Sequence, residues 1–116
     1  MANEDPIDAA LDQCLSGDAA NTDAGMLSCT ETAYAAWDKR LNTAYQALMK
    51  QLDPASQNLL RDAQRSWVAY RDKDTAFSNG PWRANTGTDA QLSIASTQLD
   101  DLRARVHMLE VYGSGE

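Results

Sequence analysis

One apolar repeat constrains the fold more than any other feature of this sequence. Between residues 22 and 52, apolar side chains recur at intervals of three and four: Met26, Cys29, Ala33, Trp37, Leu41, Ala44, Leu48 and Leu52. That spacing places them on one face of an α-helix. The repeat therefore predicts a long amphipathic helix that begins near Thr22 to Gly25 and ends near Leu52.

Similar repeats predict a short helix before this one and two long helices after it. Asp5 followed by Pro6, and Asp53 followed by Pro54, each combine an N-cap residue with a first-turn proline. The three apolar stripes are Ile7, Ala10, Leu11 and Cys14; then Leu60, Ala63, Trp67, Tyr70, Asp74 and Phe77; then Leu92, Ala95, Leu99, Leu102, Val106 and Leu109.

The last two helices also carry end signals. The third is expected to end at Asn79-Gly80-Pro81. Thr88 with Gln91 predicts a capping box for the fourth, and Gly113 predicts its end.

The fold class follows from these elements. A chain of 116 residues with 43% hydrophobic and 23% charged content is typical of one compact domain. No alternating β-branched run argues for a sheet, and no apolar stretch approaches the roughly 18 residues of a membrane span. We expect an all-α single domain over residues 1–116. Its architecture should be an elongated antiparallel helical bundle of three main helices plus a short N-terminal helix.

Negative charge is concentrated in the first third of the chain. Residues 1–38 hold eight Asp or Glu and no Lys or Arg, whereas the whole chain has a net charge of -7. An acidic segment repels a phosphate backbone, so we expect no nucleic-acid partner. The acidity either steers a basic protein partner or serves solubility alone.

Cys14 and Cys29 are the two cysteines, with turn-forming residues between them. Their separation suits a disulfide that pins the short first helix to the second, although two buried reduced thiols remain the alternative. A disulfide implies an oxidising compartment. Residues 1–15 have no positive n-region or long apolar core, so export requires a processed chain with an added initiator Met.

The segment from Arg61 to Asp72 gathers arginines and aspartates around two aromatic residues. On a helix, Ala63, Trp67 and Tyr70 should point inward. Four charged residues should lie away from that stripe: Arg61, Asp62, Arg65 and Asp72. We expect Gln64, beside the stripe, to hydrogen-bond to a neighbouring helix.

These residues resemble the LprI-like lysozyme-inhibitor family over about residues 11–110. The resemblance is carried by Cys14, Met26, Cys29, Tyr34, Trp37, Leu41-Asn42, Tyr45, Leu48-Met49-Lys50, Leu52, Leu60-Arg61, Ala63-Gln64-Arg65, Trp67 and Tyr70-Arg71-Asp72. Its structural motif residues are Asn42, Tyr45, Gln64, Trp67, Tyr70 and Arg71. The resemblance implies a helical bacterial protein, periplasmic or secreted, whose family's founding activity is inhibition of lysozyme.

The chain departs from the family pattern in its second half. Members commonly carry a second cysteine pair, where this chain has Thr75 and a residue near Ala95. The loop before the last helix is NGPWRANTGTD, in which Trp82 and Arg83 are inserted. A changed loop is consistent with a changed target.

Catalysis has little support in the sequence. His107 is the only histidine and has no sequence partner for acid-base work. The carboxylate doublets Asp72 with Asp74 and Asp100 with Asp101 are more typical of a solvated helix surface than of a glycosidase pair. We expect a protein that is not an enzyme and has no cofactor or metal site.

The leading hypothesis is a secreted protein that binds and blocks a basic lysozyme or related peptidoglycan hydrolase. Trp82, Arg83, Asn85 and Asp89 are the candidate partner-binding residues, because exposed Trp and Arg often anchor interfaces. Trp82 could instead fold back over the helix ends. Alternatives are a periplasmic immunity protein against a cognate secreted toxin, or a structural or chaperone-like envelope protein without inhibitor activity.

Overall fold

The computed structural model describes residues 4–115, which form four α-helices. The helices are α1 (Pro6–Leu15), α2 (Asp23–Gln51), α3 (Pro54–Ser78) and α4 (Thr88–Ser114). Short 3-10 turns at Asp18–Asn21 and Pro81–Asn85 join α1 to α2 and α3 to α4. No strand occurs in this part of the chain, so the predicted all-α bundle is confirmed.

The first three helices begin where the sequence predicts. Asp5 accepts a hydrogen bond from the Ile7 N–H at 2.9 Å, and Asp53 accepts one from the Ser56 N–H at 2.8 Å. At the start of α2, the Thr22 hydroxyl accepts from the Gly25 N–H at 2.9 Å. Each acceptor satisfies a backbone donor that the first helical turn leaves unpaired.

The start and end of α4 differ from the prediction. Its N-cap is Gly87, without a side-chain hydrogen bond, so the predicted capping box of Thr88 with Gln91 is wrong. Thr88 lies inside the helix, and its hydroxyl donates instead to the Asp23 carboxylate at 2.7 Å. A tertiary hydrogen bond has replaced a local one. The helix continues past the predicted end and is capped by Gly115, whose φ of 76° is left-handed.

The core lies between α2 and α4. It consists of Ala33, Trp37, Leu41, Ala44 and Leu48 from α2 and Leu99, Leu102, Val106 and Leu109 from α4. Trp37, Val106 and Leu109 are fully buried. Ile7 and Leu11 place α1 against this pair, and Leu60 and Trp67 do the same for α3. The resulting molecule is flattened, measuring 49 × 41 × 19 Å.

The inner face of α3 is mostly polar, which corrects the predicted orientation of this helix. Gln64 accepts a hydrogen bond from Arg105 Nε of α4 at 3.1 Å, as expected of Gln64. Arg71 pairs with Asp38 of α2 at 3.0 Å. Ala63 and Tyr70 are exposed, so the prediction that they point inward is wrong. The helix is rotated because polar side chains hold it to both neighbours.

The charged residues of α3 follow the prediction with one exception. Asp62, Arg65 and Asp72 are exposed. Arg61 is half-buried and donates to Asn58 Oδ1 at 2.7 Å, so it does not lie fully away from the helix interface.

A covalent bond and two arginines hold α1. Cys14 and Cys29 form a disulfide across a Cα–Cα distance of 5.8 Å. Arg40 bridges Asp5 to Glu110, and Arg103 contacts Asp8 at 2.9 Å. Burial raises the pKa of Asp5, but hydrogen bonds from Arg40 and the Ile7 N–H outweigh it and lower that pKa overall. The hydrogen bond to Glu110 raises the pKa of Arg40. The Asp5 carboxylate is therefore held in its charged form at neutral pH.

Candidate functional site

The loop between α3 and α4 is built around a pair of stacked aromatic rings. The Trp82 ring lies 5.1 Å from that of Phe77, at an interplanar angle of 21°. The Trp82 indole N–H donates to the Phe77 carbonyl. Trp82 thus folds back onto the end of α3, yet 51% of it remains exposed, as does 64% of Phe77. The two rings form a rigid apolar platform at the surface.

Gly80 allows this turn to be tight. A Cβ atom at this position would lie 3.1 Å from the Phe77 carbonyl oxygen and 3.6 Å from the Trp82 ring. A side chain there would press on the platform from behind. The close approach explains why glycine suits the point where the chain leaves α3.

Arg83 is directed into the protein. Its Nη1 donates to the Ser78 carbonyl at 3.2 Å and lies 3.4 Å from Asn79 Oδ1. It therefore satisfies a carbonyl that the end of α3 leaves unpaired. Within residues 4–115 it forms no ion pair, because the acids near the loop do not reach it. Its main contacts stabilise the loop.

Asn85 and Asp89 are exposed on the outer side of the same loop and the first turn of α4. The hydrogen bond between Thr88 and Asp23 brings the start of α2 to this end of the molecule. Asp18, in the 3-10 turn before α2, is exposed nearby in the chain. Arg83 is the only Lys or Arg between residues 74 and 102, so this end is locally negative.

The acidic first third is partly neutralised by the fold. Arg40, Arg103 and Arg71 pair with Asp5, Asp8 and Asp38, respectively. Five acids of that third form no ion pair among the described residues: Glu4, Asp12, Asp18, Asp23 and Glu31. A hydrogen bond with Asp12 raises the pKa of Glu4, which reflects carboxyl groups held close together. The uncompensated field is thus smaller than the sequence suggests.

A groove of about 440 Å³ opens behind the loop, between α2, the end of α3 and the start of α4. Its apolar lining is Leu27, Tyr34, Ile94 and Ala95, and its polar lining includes Glu31, Thr75, Arg83 and Gln98. Burial raises the pKa of the Tyr34 hydroxyl. Thr75 and Ala95, where the family pattern places a second cysteine pair, line this same groove.

The family motif residues meet along the joint between α2 and α3. Asn42, Tyr45, Gln64 and Arg71 line a groove of about 550 Å³ between these helices. The Arg71 guanidinium also lies 5.2 Å from the centre of the Trp67 ring, a cation–π contact. Tyr70 is the exception, since it is 58% exposed. Among these residues, Gln64, Trp67 and Arg71 make the contacts that hold α3 against its neighbours.

The histidine and the carboxylates considered for catalysis lie on helix surfaces, where Asp72, Asp100, Asp101 and His107 are exposed. His107 is exposed and packs against the Trp37 ring at 5.4 Å. Asp100 pairs with Arg103 at 2.8 Å. In the part of the chain that the structure describes, no three His, Cys, Asp or Glu side chains are grouped to hold a metal ion. None of the described helices is long and apolar enough to cross a membrane.

The four helices and the disulfide together define a small, cross-linked helical protein. The sequence matches the model of the lysozyme inhibitor LprI family over residues 14–109, and the chain belongs to that family. The crystal structure of an uncharacterized protein from Burkholderia thailandensis is also similar, with a TM-score of 0.88 and 27% sequence identity. The match covers 97% of this chain and 55% of the other, so this chain spans about half the length of that protein. No curated protein matches the sequence.

Proposed function

We propose that this protein inhibits a basic lysozyme or a related peptidoglycan hydrolase by binding it. The family match over residues 14–109 is the observation that carries this proposal. Inhibition of this kind needs a complementary surface and no reacting group. The disulfide between Cys14 and Cys29 supports a periplasmic or secreted location, where such bonds persist.

The loop between α3 and α4 is the surface that we assign to the hydrolase. The platform of Phe77 and Trp82 offers two exposed aromatic rings, a residue type that dominates binding energy at interfaces. Asn85 and Asp89 border it. An apolar platform with the Asp89 carboxylate at the same end of the molecule suits a partner that is apolar at the contact and basic around it.

The loop is also held in shape before binding. The Trp82 indole N–H and the Arg83 guanidinium are both bonded to carbonyls of α3. Fixing these side chains in advance reduces the conformational entropy that association would otherwise cost. Arg83 thus contributes by holding the loop, whereas Trp82 supplies contact area.

The unpaired acids supply steering. Asp18, Asp23 and Asp89 lie at the end of the molecule that carries the loop between α3 and α4. Arg83 is the cation nearest to Asp89 in the sequence. Carboxylates of one sign raise the encounter rate with a cationic protein, and salt screens that effect. The association rate should therefore fall as ionic strength rises.

The test is the lysis of a cell-wall suspension by a basic lysozyme, titrated with the oxidised protein and two variants. Trp82→Ala should weaken inhibition by about tenfold or more, as expected for an aromatic anchor. Val111→Ala, which removes an exposed apolar side chain from α4, is its control. Asp89→Asn should slow association, whereas Asp12→Asn, on α1, should slow it less.

The outcome also separates the alternatives. Inhibition of one cognate toxin with no effect on lysozymes would identify an immunity protein. Binding to many unfolded proteins, insensitive to Trp82→Ala, would indicate a chaperone-like envelope protein. Either result would contradict inhibition of a lysozyme.

A further inference from the structure

The outer face of α3 carries a heptad repeat of exposed residues. Leu59, Ala63, Ser66, Tyr70, Lys73 and Phe77 follow one another at intervals of four, three, four, three and four. These six residues, which we call the α3 seam, are all exposed. Leu59 is 71% exposed, Tyr70 58% and Phe77 64%. This spacing is the a/d pattern of a helix that packs along another helix.

The seam is long and straight enough for such packing. Its 18-residue span corresponds to about 27 Å along the helix, since each residue rises about 1.5 Å. Among residues 4–115, Trp82 stacks on Phe77 at one end of the seam, and the contacts that join α3 to α2 and α4 come from Gln64, Trp67 and Arg71. Leu59 and Tyr70 remain exposed along the rest of it. Exposed apolar side chains that share one helix face mark an interaction surface.

Two charges on this face indicate what covers it. Lys73 lies within the seam and Asp62 lies beside it, next to Ala63. Neither forms an ion pair among the described residues. They are eleven positions apart, too far to meet on one helix. Each charge is therefore available to a partner.

We propose that a second copy of this chain docks on the α3 seam in antiparallel orientation, forming a weak homodimer. A twofold axis near the middle of the seam places Leu59 opposite Phe77 of the partner, Ala63 opposite Lys73, and Ser66 opposite Tyr70. Each a position then faces a d position, as antiparallel helix pairs require. Because Ala63 is small, the Lys73 side chain of one copy can extend over Ala63 of the other copy and bring its ammonium group to Asp62 there.

The charges select this arrangement over its alternatives. A parallel pair would place the two Lys73 side chains together in one layer, and like charges repel. The antiparallel pair forms two Lys73–Asp62 contacts. A basic hydrolase is a poorer occupant, since the seam presents a cation as well as acids. The acidic loop end suits that partner better.

Helix α4 extends the surface at one end of the seam. Arg105 faces α3, as its hydrogen bond to Gln64 shows. Met108 and Tyr112 follow Arg105 by three and seven residues, so they share its face. Both are exposed, and the antiparallel course of α4 brings them level with Leu59. The added area remains small beside that of a permanent dimer, so we expect dissociation at micromolar concentration.

The test is sedimentation velocity of the full oxidised chain, from about 1 µM to about 1 mM, near physiological salt. The wild type should shift from monomer to dimer across this range. Lys73→Asp and Asp62→Lys should each weaken the dimer by roughly tenfold, because each turns two attractive contacts into repulsive ones. The double swap, with both substitutions, should restore wild-type association.

Two controls carry the same charge changes away from the seam: Lys39→Asp on α2 and Asp12→Lys on α1, both at exposed positions. They should leave the dimer unchanged. A wild type that stays monomeric throughout, or a double swap that fails to restore association, would overturn the proposal. Monomeric protein that still inhibits lysozyme would refute the dimer alone. Seam variants that lose inhibition would assign the seam to the hydrolase instead.

Discussion

Removing the disulfide should destabilise the protein substantially. The bond between Cys14 and Cys29 closes a loop with a sequence separation of 15 residues. Opening a loop of this length costs about 3 kcal/mol at 25 °C in the chain-entropy model. For a domain of this size, that corresponds to a fall in Tm of roughly 10 to 20 °C. Alanine is the suitable replacement for both cysteines, because Cys29 is only 2% exposed and serine would bury a hydroxyl there.

The structure also predicts how the variant unfolds. Asp5–Arg40 and Asp8–Arg103 pairs hold α1 independently of the sulfur atoms. The variant should therefore keep α1 docked and unfold in one transition, with the helical content of the wild type. Calorimetry and circular dichroism of the double alanine variant, beside wild type with and without reductant, measure both properties. A Tm within about 3 °C of the oxidised wild type would refute this reasoning.

Three further predictions concern single side chains. Asp5→Asn should destabilise the protein at neutral pH by weakening the bond to Arg40. Because that bond lowers the pKa of Asp5 in the folded state, the difference in unfolding free energy between wild type and variant should disappear as pH falls below about 4. Urea titrations at several pH values measure this difference. Leu102→Ala should cost about 2–5 kcal/mol by chemical denaturation, since the side chain is 1% exposed. Gly25→Ala should lower Tm, because its Cβ would lie 1.7 Å from the Ala19 carbonyl oxygen; an unchanged Tm would contradict that packing.

Local signals explain why the helix ends were predictable. Asp5-Pro6 and Asp53-Pro54 specify helix starts through bonds within three residues, and both caps occur in the structure. Thr88 carries an equally good local signal, but its hydroxyl bonds to Asp23, 65 residues away in sequence. A sequence pattern cannot indicate whether a side chain will form a local hydrogen bond or one with a residue that is distant in sequence.

The face of α3 shows a different limit. Leu60 and Trp67 pack on the core, whereas Tyr70 and Phe77 share their helical spacing and are exposed. The spacing of hydrophobic residues identifies the apolar face of a helix. A face that packs inside the monomer and a face that is exposed for a binding partner give similar spacing. The polar contacts of Gln64 and Arg71 decide the rotation, and their partners lie on other helices.

The candidate site was predictable only in part. The sequence indicates Trp82, Arg83, Asn85 and Asp89 as partner-binding residues, and whether they bind a partner stays a prediction. It places Phe77 on the apolar stripe of the third helix and gives no indication of the stack with Trp82. The available signal is that Phe77 and Trp82 lie five residues apart on either side of Gly80-Pro81. Whether their rings stack depends on the geometry of that turn.

The decisive measurement is calorimetric titration of the oxidised protein into a basic lysozyme. We expect saturable binding with one hydrolase per chain, weakened at high salt and by Trp82→Ala but not by Val111→Ala. An absence of binding heat at two temperatures, together with undiminished lysis at excess protein, would contradict the claim that this chain is a lysozyme inhibitor.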